Sequence, residues 1–596
     1  MTGDSPALQV AVLIDLLLWP LIAIPALLIG LRLMPLLGLE GAFRRPTDGA
    51  FFALWLGLLV IANLLFAAAL LVPLTLSVIV ALAVLLPIVA LAHADLRSQA
   101  LGAMRVVTAR PQLLAGMAAL AVAAALVAAQ PIYWEDSGLY HIQAIKWLAS
   151  TGTVPGVALI HSRFGFVSSW FAVPAALSHG ILTGRTGALL NGFVLFAMAS
   201  FMLVTLRRWW LGRHDRADIF FAAAATIVLL FCLQYGIANS PSPDFPIAAL
   251  TVLAAWSYLA VRNEALPMAP VVLMLGAVTV KFSAAALLLV TAAILLFRLD
   301  WRQRAILAIG SGIVLLPVIA SSYIATGCLL YPFYLSCAAP DWALGPDNAR
   351  GMVRAITGFG QWGPSVPPDA GVWNWIPGWP LRRLSNVIFT TFLGLSLIAA
   401  LVQWRIVTKS SAVRHAAILA VAGMAYVLVT SPETRFVIGA LAIMPALLVA
   451  ALAVRDESIR SEPTRSEHMC TARKRVAIAA VLLGFMAAAG MNTYRLAQAP
   501  SRADMEAGIG VAPHWVLPPP AMRLGRPIAP DPAFSEAEIR QGFAARQSGD
   551  VVYNIPVPIG LCWDVPLPCA TDTLHIVLRL RDPSRGLVGG FARVTP

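Results

Sequence analysis

Two adjacent carboxylates, Glu135 and Asp136, stand where an apolar stretch (residues 113–130) gives way to a polar, periodic one. The residues that follow place Asp136, Tyr140, Ala144 and Leu148 at four-residue intervals, on one face of a helix. Acids held at a membrane boundary are costly unless they bind something. A positioned carboxylate at such a place takes the proton of an acceptor hydroxyl. Its neighbour can assist or hold a divalent ion, so Glu135 and Asp136 are the metal candidates. Helix N-termini also favour acids, and capping is the second reading, chiefly for Glu135.

Other charged groups fall near span ends. Lys281 interrupts a long apolar run (266–297) and suits a lipid phosphate as a point charge. Its alternative is a lysine that snorkels to headgroups. Arg163 and Arg435 are guanidinium forks suited to bidentate phosphate contacts, and Arg435 has a structural alternative in pairing with Glu433 or Asp244. Asp244, after Ser240-Pro-Ser-Pro, is either an N-cap or a second acid facing Asp136. His141 and His161 are candidate helpers or ordinary polar contacts. Trp362, Trp373, Trp375 and Trp379 fit an interfacial belt or sugar-stacking rings.

The elements that must position these groups are membrane helices. Of 596 residues 59% are hydrophobic and 12% charged, against about 25% charged in soluble chains. The expected fold class is therefore an all-α polytopic membrane protein. At roughly 17–25 residues per crossing, about fourteen spans are expected. They lie near 10–30, 50–71, 73–92, 113–129, 187–206, 217–236, 245–261, 267–280, 283–297, 305–323, 387–404, 416–430, 436–454 and 476–490. The N-terminus has Asp4 and no basic residue before the first of them, unlike a cleavable signal peptide.

Basic clusters set the sides. Those around Arg97–Arg110, Arg207–Arg216, Arg298–Arg304, Arg405–Arg414 and Arg473–Arg475 belong to the cytoplasm. They account for the net charge of +13 without a nucleic-acid partner. Keeping that alternation requires 164–182 to be an interfacial or re-entrant helix, and Lys281 to occupy an outer turn. The outer segments are then 133–163, 239–244, 328–385 and 431–435, with the tail from 492. The tail is proline-rich at 499–532, then alternates at 573–580, which suggests a small α/β or β-containing domain. Cys328/Cys337 and Cys562/Cys569 fall on the oxidising side and fit disulfides. Neither pair has zinc-ligand spacing.

The Asp136-x-x-x-Tyr140-x-x-x-Ala144-x-x-x-Leu148 pattern after a span resembles the first outer-loop motif of GT-C-type membrane glycosyltransferases. Protein mannosyltransferases and the lipid A aminoarabinose transferase are the named relatives. The likeness continues in order through His161-Ser-Arg163-Phe164, Gly276-Ala-Val-Thr279-Val-Lys281, Cys328-Leu-Leu-Tyr331-Pro332 and Pro432-Glu433-Thr-Arg435-Phe436. It covers roughly 113–454. One departure is the order Glu135-Asp136, where many members have Asp-Glu, which leaves the acting carboxylate open between the two.

The resemblance implies a GT-C-like core at 113–491, additional helices at 1–112 and a periplasmic domain at 492–596. It also implies inverting transfer of a sugar from a polyprenyl-phosphate donor to a glycan, lipid or protein acceptor, on the periplasmic side of a bacterial inner membrane. Asp136 and Glu135 would be catalytic. Tyr140, His141, His161, Arg163, Asp244, Lys281, Tyr331, Glu433 and Arg435 would bind substrate. A transporter or flippase of lipid-linked glycan is the rival class, marked by internal repeats and broken helices in pairs, and no such repeat is visible. An O-antigen polymerase is a third reading without support from the ordered motifs. Walker A, HExxH and GxSxG motifs with their partners are not present.

Overall fold

The computed structural model describes residues 11–75, 110–262, 267–367, 371, 373–403, 409–458, 535–557 and 560–594. Helices dominate. In chain order they are α1 (Ala11–Leu36), α2 (Pro46–Ala68), α3 (Pro111–Ala128), α4 (Ile142–Ser150), α5 (Ala172–Leu177) and α6 (Leu189–Trp210). There follow α7 (Arg216–Gln234), α8 (Asp244–Ala260), α9 (Met268–Val280), α10 (Ala285–Leu296), α11 (Trp301–Thr326) and α12 (Pro346–Trp362). The last are α13 (Trp379–Arg382), α14 (Leu384–Val402), α15 (Ser411–Thr430), α16 (Thr434–Ser458) and α17 (Glu536–Gln541).

Among the described residues nine helices are long and apolar enough to cross a membrane: α1, α2, α3, α6, α7, α11, α14, α15 and α16. Three shorter apolar helices, α8, α9 and α10, accompany them. Each of these twelve falls on an expected span. The expected span at 476–490, and that at 73–92 beyond Thr75, lie outside the described residues.

Helix α8 is the axis of the bundle, with every residue buried. Its even burial explains its sequence: a helix apolar all round belongs in a protein interior. Helices α1 and α2 reach the same core by close backbone contact, since a Cβ at Gly57 would lie 1.7 Å from the Ala26 carbonyl oxygen. The core is continuous from α1 to α16, so the first two helices are integral to the bundle.

Chain direction sorts the charges. Arg45 and Arg208 meet Asp218 and Asp48 at one end. At the same end Phe43 bridges Val261, and Arg262, Arg298 and His415 line one cavity. The carboxylate-bearing segment before α4 and the Lys281 turn lie at the other end.

The segment 164–182 is not the single interfacial helix expected. It is a series of short pieces: 3-10 turns at Ser162–Gly165 and Ser169–Phe171, then α5, then Gly180–Leu182. Serines break its helical pattern by bonding elsewhere. The Ser168 hydroxyl donates to the Val280 carbonyl at 2.6 Å, and the Ser169 hydroxyl meets that of Thr279 at 3.0 Å. This wedge therefore pins the turn that carries Lys281.

The C-terminal part holds two antiparallel hairpins, β1 (Phe543–Ser548) with β2 (Val551–Pro556) and β3 (Leu578–Leu580) with β4 (Phe591–Arg593). Of the alternating 573–580 stretch, only β3 forms a strand. The first hairpin turns through Gly549-Asp550, with Gly549 at φ 55° as tight two-residue turns require. Both expected disulfides, Cys328–Cys337 and Cys562–Cys569, are present.

Candidate active site

Six segments distant in sequence converge at one end of the bundle. Asp136 follows α3 after a short non-helical stretch and directly precedes a π-helical turn, Ser137–His141. Such turns insert one residue into a helix and recur at functional sites. Here the turn buries Tyr140 and His141 together. Asp136 makes no side-chain cap bond, so the capping reading of this acid is not what its side chain does.

Its oxygens go instead to two guanidinium groups. Arg435, in the first turn of α16, reaches Oδ2 at 2.5 Å, and Arg163 lies 3.5 Å from Oδ1. Arg435 also approaches Asp244 Oδ2 at 3.8 Å, and Asp244 pairs in turn with Lys281. The result is one chain of alternating charge: Arg163, Asp136, Arg435, Asp244, Lys281. Aromatic faces fix its members. Arg435 lies 5.1 Å from the Trp134 ring and 4.8 Å from that of Phe436, and Lys281 Nζ sits 4.0 Å over Phe436.

Both alternatives left for Asp244 are resolved. Pro243 is the N-cap of α8 and Asp244 its first residue, so the carboxylate serves the ion chain. The snorkelling alternative for Lys281 gives way to its pair with Asp244. Arg435 takes the Asp136 and Asp244 partners, and Glu433 takes another, Arg383, at 2.6 Å. Arg383 was missed in the sequence, where a loop arginine before an ordinary span carries no signal.

The ends of the chain are more open than its middle. Side-chain exposure is 34% at Arg163 and 26% at Lys281, but 5% at Asp244. Among the described residues this chain sets three cations against two carboxylates and leaves one positive charge unmatched, on the side where Arg163 is only loosely engaged. Electrostatics follow from these neighbours. Burial opposes ionisation of Asp136, but Arg435, His141 and Arg163 outweigh it and hold the carboxyl well below the usual range. Burial raises Glu433 despite Arg383 and Arg435. Burial also lowers His141 to about 4, and burial with the Arg163 charge lowers His161 to about 4. Both imidazoles are thus neutral at physiological pH. Among the described residues Nδ1 of each, the Ser137 hydroxyl and the Trp134 indole nitrogen are buried without a hydrogen-bond partner.

Around this core Tyr140 stacks edge-on to His141 at 4.3 Å, and Phe166 lies 6.0 Å from Tyr140 and 5.4 Å from Tyr331. Burial raises the phenols of Tyr140 and Tyr331, so both stay neutral. His161 packs against Phe164 at 5.6 Å. Glu135 stands apart: it is exposed, and no ion pair holds it among the described residues. The arrangement does not fit a divalent ion on Glu135 and Asp136, because both oxygens of Asp136 face guanidinium groups. Among the described residues no three His, Cys, Asp or Glu side chains gather to hold a metal. The tryptophans divide: Trp375 and Trp379 are buried, whereas Trp373 is exposed.

No curated protein and no solved structure matches this chain. A family match runs over residues 12–442, from the first helix into α16, and so takes in the whole ion chain together with α1 and α2. The chain belongs to the family described as Domain of unknown function (DUF8201).

Proposed function

We propose that this protein is a membrane glycosyltransferase that takes a sugar from a polyprenyl-phosphate donor, with the Arg163–Asp136–Arg435–Asp244–Lys281 chain as its reaction centre. The observation that carries the reading is the unmatched positive charge at the end of a bundle rich in membrane-crossing helices. An anionic headgroup on a lipid tail is the ligand class such a place suits.

The geometry supports a division of labour. Arg163 turns from Asp136 to the donor phosphate, because its contact at 3.5 Å is long and it is the most exposed cation of the chain, at 34%. Asp136 then loses one of the charges that depress it, and its freed Oδ1 accepts the proton of the acceptor hydroxyl. The acceptor oxygen forms a bond to the anomeric carbon as the carbon–phosphate oxygen bond breaks from the opposite face. The products are the inverted glycoside and a polyprenyl phosphate, whose charge Arg163 stabilises. Arg435 and Asp244 stay fixed and keep the carboxylate aimed. The neutral His141 offers Nδ1 to an incoming hydroxyl. By this reading the centre faces the periplasm of a bacterial inner membrane, where donors are lipid-linked.

The test is transfer by full-length protein in nanodiscs supplied with polyprenyl-phosphate sugars. Asp136→Asn keeps the shape and removes the proton acceptor. It should lower turnover by about 10²–10⁴-fold while folded yield is unchanged. Wild-type turnover in that variant would remove Asp136 as the base. Movement of intact lipid-linked glycan without transfer would favour the flippase reading.

A further inference from the structure

Among the described residues the C-terminal domain meets the segment that carries Asp136 through Trp563, and the contact is specific. Trp563 lies in the loop closed by Cys562–Cys569, with its backbone at φ 41° and its side chain buried. Its indole covers Gly138, two residues after Asp136: a Cβ added at Gly138 would fall 2.3 Å from the ring. The Trp563 amide donates to the Gly138 carbonyl at 2.9 Å. A non-glycine residue with positive φ is uncommon and stays only where its surroundings over-determine it.

Those surroundings are on the page. The buried Gln143 amide donates to the carbonyls of Trp563 at 2.9 Å and Val565 at 2.8 Å. Lys146 donates to the carbonyls of Asp564 and Val565, both at 3.0 Å, and pairs with the Asp564 carboxylate at 3.1 Å. The loop is in turn fastened to β2, where the Asn554 amide donates to the Pro568 carbonyl at 2.9 Å and that of Ala570 to Asn554 at 3.0 Å. A rigid path therefore runs from the β1–β2 hairpin through the disulfide and Trp563 to the π-helical turn that aims Asp136, Tyr140 and His141.

We infer that Trp563 is a positioning residue for Asp136, and that the C-terminal domain is a working part of the reaction centre. The indole fills the space over Gly138 and holds the π-helical turn in the register that sets the carboxylate between Arg163 and Arg435. Its part in transfer rests on the glycosyltransferase reading, whereas its hold on the turn does not.

The experiment uses the full-length protein in nanodiscs, with polyprenyl monophosphate as the probe. Two readouts are taken: amide hydrogen exchange of residues 137–143, and binding of the probe by native mass spectrometry. Trp563→Ala should accelerate exchange in that segment and weaken binding about tenfold, the scale of one well-placed contact. Trp563→Phe should restore most of both, and Arg581→Ala, at the remote Asp341 pair, should change neither. In an Asp136→Asn background Trp563→Ala should weaken binding no further, since the two act as a unit. Where Trp563→Ala does not accumulate, Trp563→Leu carries the same comparison. Unchanged exchange in 137–143, or an equal loss of binding with and without Asp136, overturns the positioning role. A wild-type protein that never binds the probe defeats the glycosyltransferase reading, and the exchange arm still decides the positioning one.

Discussion

Among the described residues two buried ion networks sit at opposite ends of the bundle, and they differ in charge balance and in the openness of their ends. At one end Arg208 bonds Asp48 and Asp218 at 2.6 Å each, and Arg45 joins Asp218 and Asp215. Asp215 and Asp218 also close a capping box on α7. That network has three carboxylates for two arginines, and Asp218 and Asp48 have side chains 2% and 4% exposed. It staples α2, α6 and α7 together. At the other end the balance is reversed, the terminal cations are half-open, and neutral polar atoms wait unpaired beside Asp136. Burial and pairing are common to both. The sign of the imbalance and the openness of the ends separate the staple from the proposed receptor.

The comparison breaks first on stability. Arg208→Met would leave Asp48 and Asp218 buried against one fewer cation, and removal of one partner of a buried pair costs about 3–5 kcal/mol. The expected outcome is a large fall in the thermal midpoint or loss of folded protein. Arg163→Met removes a partly exposed contact worth at most about 1 kcal/mol, so its midpoint should barely move. Its transfer rate should fall by about 10²-fold, the cost of one missing charge at a developing anion. Equal stability losses in the two variants would erase the distinction drawn between the networks.

A smaller effect lies in pH. His141 and His161 have folded values near 4, below the ordinary 6.5. A group depressed in the folded state contributes stability above its unfolded value and loses it as pH falls toward the folded one. Stability should therefore decline between pH 6.5 and 4, with each histidine adding about 1.4 kcal/mol per pH unit at most. His141→Phe should flatten the slope measured by denaturant titration at several pH values. Smallest of all, Glu135→Gln should leave both midpoint and transfer unchanged, because Glu135 is exposed. A strong loss there would return the catalytic role to the first carboxylate.

What the sequence made legible was whatever depends on local pattern. Apolar runs marked twelve helices that the structure describes, and the abrupt change at Glu135-Asp136 marked the segment that carries the site. The disulfides were legible because the expected sidedness assigned four cysteines to an oxidising compartment. Partner choice was not, since it is set by packing: Asp136 and Arg435 are 299 residues apart. Hence the pairing of Lys281 with Asp244 was not legible, and Arg383 went unseen. Trp563 was missed because the tail's alternation and cysteines say nothing of what its loop packs on, and Gln143 and Lys146 because their partners lie more than 400 residues away. A signal did exist there, in the alternating Val551, Tyr553 and Ile555 after the turn residues Gly549-Asp550. Serines at 168 and 169 lie within the helix expected at 164–182; their hydroxyls instead anchor the Lys281 turn.

The central claim is that the open network receives the phosphate of a lipid-linked sugar. Its most direct test is equilibrium binding of polyprenyl monophosphate to the full-length protein in nanodiscs, comparing wild type, Arg163→Met and Arg45→Met. The account predicts saturable binding by wild type, binding weakened about tenfold or more in Arg163→Met, and wild-type affinity in folded Arg45→Met. Equal affinity in Arg163→Met and wild type, or loss in Arg45→Met alone, would contradict it.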